Sequence, residues 1–177
     1  MKLAILILSI LLFHEVNAQT KEYVCSPCNR SCDSKVYTQP GACPECHMAL
    51  VEKSALNFPN LSVEEFCARI AANSNAVLLD VRSASEFNGS ALFRGTYGHF
   101  KNAININIDD LEDRLDEIET YKDREILVYC SHSVRSPRAA MILNQHGYKN
   151  VKNLAGGVST IRVGANDCLK KNFVVHD

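Results

Sequence analysis

A chain of 177 residues has room for one domain of ordinary size plus an appendage. Its 46% hydrophobic content is that of a globular protein, and 19 basic against 20 acidic residues leave a net charge of -1, which excludes the strongly basic character of a nucleic-acid binder. Eight cysteines are many for such a chain, and their placement carries much of the functional signal.

The first eighteen residues have the form of an export signal. Lys2 supplies a short positive region, residues 3–13 are an apolar run too short for a membrane span, and Val16-Asn17-Ala18 fits a cleavage site. Cleavage after Ala18 predicts an exported protein, periplasmic or secreted, with no stable membrane span. A retained anchor is the alternative. Export also sets a redox problem, because an oxidising compartment normally pairs cysteines as disulfides.

Residues 21–53 hold two Cys-x-x-Cys knuckles, Cys25-Ser26-Pro27-Cys28 and Cys43-Pro44-Glu45-Cys46. This spacing predicts that Cys25, Cys28, Cys43 and Cys46 meet at one tetrahedral metal, with zinc the expected ion. So short a segment cannot build a sufficient core and needs a metal or disulfides to fold; a pair of disulfides is the alternative. Cys32, His47 and Met48 are further soft ligands that would admit copper. The pattern from Tyr23 through Cys28, then Pro40-Gly41-x-Cys43-Pro44-x-Cys46-x-Met48-x-Leu50, resembles the short heavy-metal-binding domain attached to bacterial metal-efflux proteins. Those domains often carry Met-His where Pro27-Cys28 stands, and Gly at His47. The resemblance therefore leaves zinc and another soft ion both open.

Residues 52–60 show no periodicity, and Pro59 marks a domain boundary. Ser62-x-x-Glu65 is a capping box that opens a helix with Phe66, Cys67 and Ile70 on its apolar face; Cys67 reads as a buried thiol. Residues 76–81 are apolar except for Asp80, as in a strand buried on both faces. A second strand is predicted at 103–108, an acidic helix at 109–120, a third strand at 125–130, a helix at 137–146 ended by Gly147, and a short strand at 150–154. Gly156-Gly157 then turns into another helix. Strands alternating with helices predict an α/β domain over 58–165, a parallel sheet covered on both faces, with a tail at 166–177.

In such sheets ligands bind beyond the carboxyl ends of the strands, and Cys130 lies at one. The loop after it, Ser131-His132-Ser133-Val134, is small and polar, and Arg135 and Ser136 lead into a helix with Pro137 in its first turn. Backbone N–H groups and the positive helix end favour a thiolate there, so Cys130 reads as a nucleophile and residues 131–136 as an anion cradle.

Leu79-Asp80-Val81-Arg82, Glu86-Phe87, Gly98-His99-Phe100-x-x-Ala103-Ile104-Asn105, Val128-Tyr129-Cys130, Arg135-Ser136, Ala139-Ala140, Leu143, Gly147-Tyr148 and Leu154-x-Gly156-Gly157 together resemble a single-domain rhodanese. The resemblance implies the rhodanese fold and sulfur transfer through a Cys130 persulfide. A small donor, thiosulfate or a persulfide, would load the cysteine, and a thiol or cyanide would unload it, with a redox or sulfur-carrier protein as a possible partner and no catalytic cofactor. It makes Arg135 the residue that closes the loop, and Asp80 and Arg82 its structural support. Six residues from Cys130 to Arg135 match sulfur-transferring members; related phosphatases use one residue more, for a larger oxyanion.

Several positions depart from that pattern. Ser133 stands where Gly is frequent, Ser131 and His132 replace a second cation, and the Trp common after the glycine pair is absent. His132 either tunes the thiolate or faces solvent, and His99 reads as a turn residue. Residues 88–97, with Arg94 and Tyr97, form an insertion read as a surface loop that could recognise a substrate or partner. Cys168 is either a resolving thiol for Cys130 or a structural cysteine. A different class of function stays open: a metal-binding or metal-sensing protein whose rhodanese domain only docks a partner.

Overall fold

The computed structural model describes residues 20–28, 30–91, 97–162, 164 and 166–176. The expected signal at 1–18 and Arg94 of the insertion lie outside the described residues. Among the described residues no helix is long and apolar enough to cross a membrane.

The Cys-rich segment is an antiparallel sheet of four short strands, β1 (Tyr23–Cys25), β2 (Val36–Tyr37), β3 (Gly41–Ala42) and β4 (Ala49–Glu52), in the order β2-β1-β4-β3. Its interior consists of cysteines: Cys25, Cys32 and Cys43 are fully buried, with Cys28, Cys46, Met48 and Leu50 against them.

The main domain begins with β5 (Asn60–Leu61) and α1 (Val63–Ala72). The predicted capping box is present: Ser62 Oγ accepts from the Glu65 amide while the Glu65 carboxylate accepts from the Ser62 amide. Next come β6 (Val77–Asp80), α2 (Ala84–Phe87), β7 (His99–Phe100), β8 (Ile104–Asn105), β9 (Glu125–Tyr129), α3 (Arg135–Gln145) and β10 (Asn150–Leu154). The expected parallel sheet is found, in the order β5-β10-β9-β6-β8. β9 is its middle strand and is buried along its whole length.

Side chains alternate between two cores, one on each face. Leu79, Ile126, Val128 and Val151 meet α3 on one side, and Leu78, Leu127, Tyr129 and Leu154 meet Phe66 of α1 on the other. This is the helix-covered α/β architecture the alternating elements predict.

Three expectations are corrected. The strand expected at 103–108 shortens to Ile104–Asn105, because the Asn105 amide turns to the carbonyls of Asp80 and Arg82 and ends the regular ladder. The acidic helix expected at 109–120 is a kinked 3-10 helix, Glu112–Tyr121, in which Arg114–Glu117 and Glu119–Lys122 pair at the three-residue spacing that this tighter helix eclipses. The helix expected after the glycine pair is one 3-10 turn, Val158–Thr160.

The tail is part of the domain. After α4 (Asp167–Asn172), capped by the Asn166 side chain, β11 (Phe173–Val174) pairs antiparallel with β7. Leu169 and Phe173 enter the core, and a disulfide joins Cys168 to Cys67 on α1. Cys67 is therefore not the free buried thiol expected, since α1 and α4 pack side by side and bring the two sulfurs together.

Candidate functional site

In the Cys-rich module four sulfurs, those of Cys25, Cys32, Cys43 and Cys46, lie within 4.8 Å of one another. The quartet expected from the knuckles had Cys28 in place of Cys32. The 3-10 turn Ser31–Ser34 carries Cys32 fully into the interior, while Cys28 sits beside the quartet with Asp33. A tetrahedral zinc–thiolate centre with bonds of about 2.3 Å needs sulfurs about 3.8 Å apart, and four sulfurs all within 4.8 Å of one another could hold such an ion. The second knuckle is closed by the Cys43 amide donating to the Met48 carbonyl and the His47 amide to the Cys43 carbonyl. His47 takes φ 62°, the left-handed region that glycine favours. Burial pushes the Cys43 thiol up, but the N–H groups of Glu45 and Cys46 and the Tyr37 hydroxyl outweigh it and hold the thiol at about 6.

Cys130 follows the carboxyl end of β9 and is 1% exposed. Its sulfur accepts a hydrogen bond of 3.3 Å from Ser136 Oγ, in the first turn of α3. The positive end of an eleven-residue helix is thereby brought against the sulfur. The loop is tied down from behind. The Val158 and Ser159 amides donate to the carbonyls of Cys130 and Ser131, and Gly157 comes so close that a Cβ there would lie 2.5 Å from the Cys130 oxygen. Only glycine, here at φ 65°, allows that approach.

Across the loop stands Glu86, held on α2 by the capping box it forms with Ser83. Arg135 Nη1 and Nη2 donate to its two oxygens at 2.7 Å each, and Ser131 Oγ donates to Oε1 at 2.8 Å. The Arg135 guanidinium, against the cost of burial and with help from Ser131 and the Ser83 amide, holds the Glu86 carboxyl well below the usual range, at about 2. Arg135 thus ties the start of α3 to α2, and its charge is shared with Glu86.

Below the loop, Asp80 and Arg82 are both fully buried and paired, Arg82 Nη2 to Asp80 Oδ2 at 2.6 Å and on to the Gly98 carbonyl at 2.8 Å. They anchor the end of β6 to the segment that enters β7.

Residues 62–162, more than half of the chain, match the rhodanese-like domain family. The chain belongs to that family. It is 40% identical over 97 residues to the uncharacterized protein YqhL of Bacillus subtilis, covering 55% of this chain and 67% of that protein. It is 32% identical over 90 residues to the tRNA uridine(34) hydroxylase of Buchnera aphidicola, covering 49% of this chain and 26% of that enzyme. The chain spans about a quarter of the length of the hydroxylases it matches. Among solved structures, the reduced CoADR-RHD of Bacillus anthracis overlaps 66% of this chain and 18% of its own, at 28% identity and a TM-score of 0.49.

Within this rhodanese-like domain, Ser131, Ser133 and Val134 of the expected loop follow Cys130 directly, and Arg135 and Ser136 open α3. Ser133 takes φ 56°, which explains why glycine suits this position, and its hydroxyl accepts from the buried Asn153 amide at 2.9 Å. His132 points outward to Tyr97 of the insertion, Nε2 to Oη 3.3 Å. Cys168 is engaged by Cys67, so the resolving role with Cys130 is corrected. His99 is more than a turn residue: its Nδ1 lies 3.2 Å from Nε2 of His176, which donates to the Phe87 carbonyl. Glu86 was legible only as part of a pattern. Its signal was local, a Ser-x-x-Glu box with no long helix behind it.

Proposed function

We propose that the protein is a sulfurtransferase whose carrier is Cys130. The observation that carries this reading is the Cys130 sulfur seated against Ser136 Oγ at the start of α3, in a loop of six residues. In the first half-reaction the Cys130 thiolate attacks the outer sulfur of a donor. With thiosulfate, the donor's S–S bond breaks, sulfite leaves with the electron pair, and Cys130 becomes a persulfide. In the second, an acceptor thiolate or cyanide attacks the outer sulfur, the persulfide bond breaks, and the Cys130 thiolate returns. The N-terminus of α3 and the Ser136 hydroxyl stabilise the anionic sulfur in both states. Glu86 and Arg135 hold the loop in shape.

The Cys-rich module would carry a soft metal, zinc first, away from the chemistry. An exported protein, periplasmic or secreted, suits the apolar run at 3–13 and the Cys67–Cys168 disulfide, which reducing compartments disfavour. Its partners are then a small sulfur donor, a thiol acceptor and a redox or sulfur-carrier protein that keeps Cys130 in use. The near-complete burial of Cys130 favours a second reading, a metal-binding protein with a docking rhodanese domain.

Intact mass after incubation with thiosulfate, and separately with glutathione persulfide, decides between them. One added sulfur, lost in Cys130→Ser, supports the transferase. No sulfur from either donor on folded, reduced protein supports docking.

A further inference from the structure

The module offers more ligands than one ion can use. A second group, Cys25, Cys28, Cys32 and the Asp33 carboxylate, also lies within 4.8 Å and has two members in common with the first. The shared pair, Cys25 and Cys32, is fully buried, with their sulfurs 4.0 Å apart. On one side of that pair stand Cys43 and Cys46, with Cys46 3.2 Å from Cys25. On the other stands Cys28, 3.9 Å from Cys25 and 3.5 Å from Cys32, with Asp33 Oδ1 3.0 Å from its sulfur. These separations scatter around the roughly 3.8 Å edge of a tetrahedron of thiolates on a zinc-sized ion.

We propose that the module binds two divalent zinc-class ions in one cluster, with Cys25 and Cys32 bridging, Cys43 and Cys46 completing one tetrahedron, and Cys28 and Asp33 completing the other. The inference rests on the reading of the module as a metal site and deepens it. Six ligands for two ions is the count two tetrahedra need when they share an edge. A thiolate sulfur has lone pairs enough to bind two ions, and the shared positions fall to thiolates, while the carboxylate is terminal. Charge supports the count as well. Five thiolates and one carboxylate carry six negative charges, and two divalent ions leave a net charge of -2, the same as one zinc in four thiolates. A single ion in the first group would leave the Cys28 sulfur beside the centre and outside it. Each ion displaces the protons of the thiols it binds, and no redox change is involved.

The test uses the full chain, purified reduced and loaded with cadmium as the probe, read by native mass and by cadmium NMR. Two ions per chain are expected, with two resonances coupled to each other through the bridging sulfurs. The double variant Cys28→Ser, Asp33→Asn should retain one ion and one resonance. One ion in the unaltered chain overturns the two-ion cluster and leaves the metal reading standing. No ion on folded, reduced protein overturns both. Two ions without mutual coupling, or two that survive in the double variant, overturn the bridged arrangement. Should the variant fail to fold, the coupling measured in the unaltered chain still decides.

Discussion

Glu86 and Arg135, forty-nine residues apart in sequence, meet in a two-pronged ion pair that spans the mouth of the Cys130 loop. The carboxylate accepts from both guanidinium nitrogens and from Ser131, so it fixes the loop at two points. Glu86→Gln keeps the shape and removes the charge. It should cost about 2 kcal/mol, the scale of a charge-assisted hydrogen bond in a partly exposed setting, and slow sulfur loading of Cys130. Denaturant unfolding and timed intact mass measure the two effects.

The same pair sets an acid limit. Glu86 titrates at about 2 in the folded chain against an ordinary 4.5, so its folded value is depressed. The stabilisation is present above pH 4.5 and is lost as pH falls from there toward 2. The denaturant midpoint of the unaltered chain should drop across that window. Glu86→Gln should show a shallower fall, and equal slopes would show that the pair is not responsible.

Ser136 is fully buried and gives its hydrogen bond to the Cys130 sulfur. Ser136→Ala fills nearly the same space and deletes the donor. Losing one such bond to an anion, about 1.4 kcal/mol, corresponds to roughly a tenfold slower loading step. Thermal stability should change little. A variant that loads sulfur at the original rate would remove Ser136 from the mechanism.

Gly157→Ala tests the rear wall of the loop. The added carbon meets the Cys130 and Ser131 backbone at 2.5 Å, and backbone cannot step aside as a side-chain tip can. Destabilisation of about 2 kcal/mol is expected from overpacking, together with loss of sulfur loading. Gly147→Ala is the control, because open space surrounds that position although its φ is also positive.

The end of the chain should respond to mild acid. His99 is held below its ordinary 6.5 by burial and by the nearby His176. A lowered value means that His99 stabilises the fold above pH 6.5 and that this contribution is lost as pH falls below it. Phe173 ring signals, which report the pairing of β11 with β7, should broaden or shift as pH falls from 7 to 5.5 in NMR spectra. His99→Phe should abolish that response.

The strand before Cys130 and its loop were legible because their signals are contiguous: an apolar run, a cysteine, small polar residues and a helix start. Asp80 and Arg82 are two residues apart and share that advantage. What stayed hidden depends on chain path. The entry of Cys32 among the knuckle cysteines follows from a single 3-10 turn that carries it inward, and knuckle spacing is blind to it. The Cys67–Cys168 bond joins residues 101 positions apart, and a six-residue helix with a two-residue strand has too little periodicity to announce that the tail returns to the core. Tyr97 meeting His132 is likewise a matter of how the insertion comes back to the loop.

That covalent tie makes a closed ring of everything from α1 to α4. A protease that cuts once inside the ring, for instance in the insertion at 88–97, leaves both fragments on one molecule and β9 still seated between its neighbours. Such a nicked chain would migrate as two bands only after reduction. The ring would let the Cys130 loop survive a single cut that would scatter an open chain.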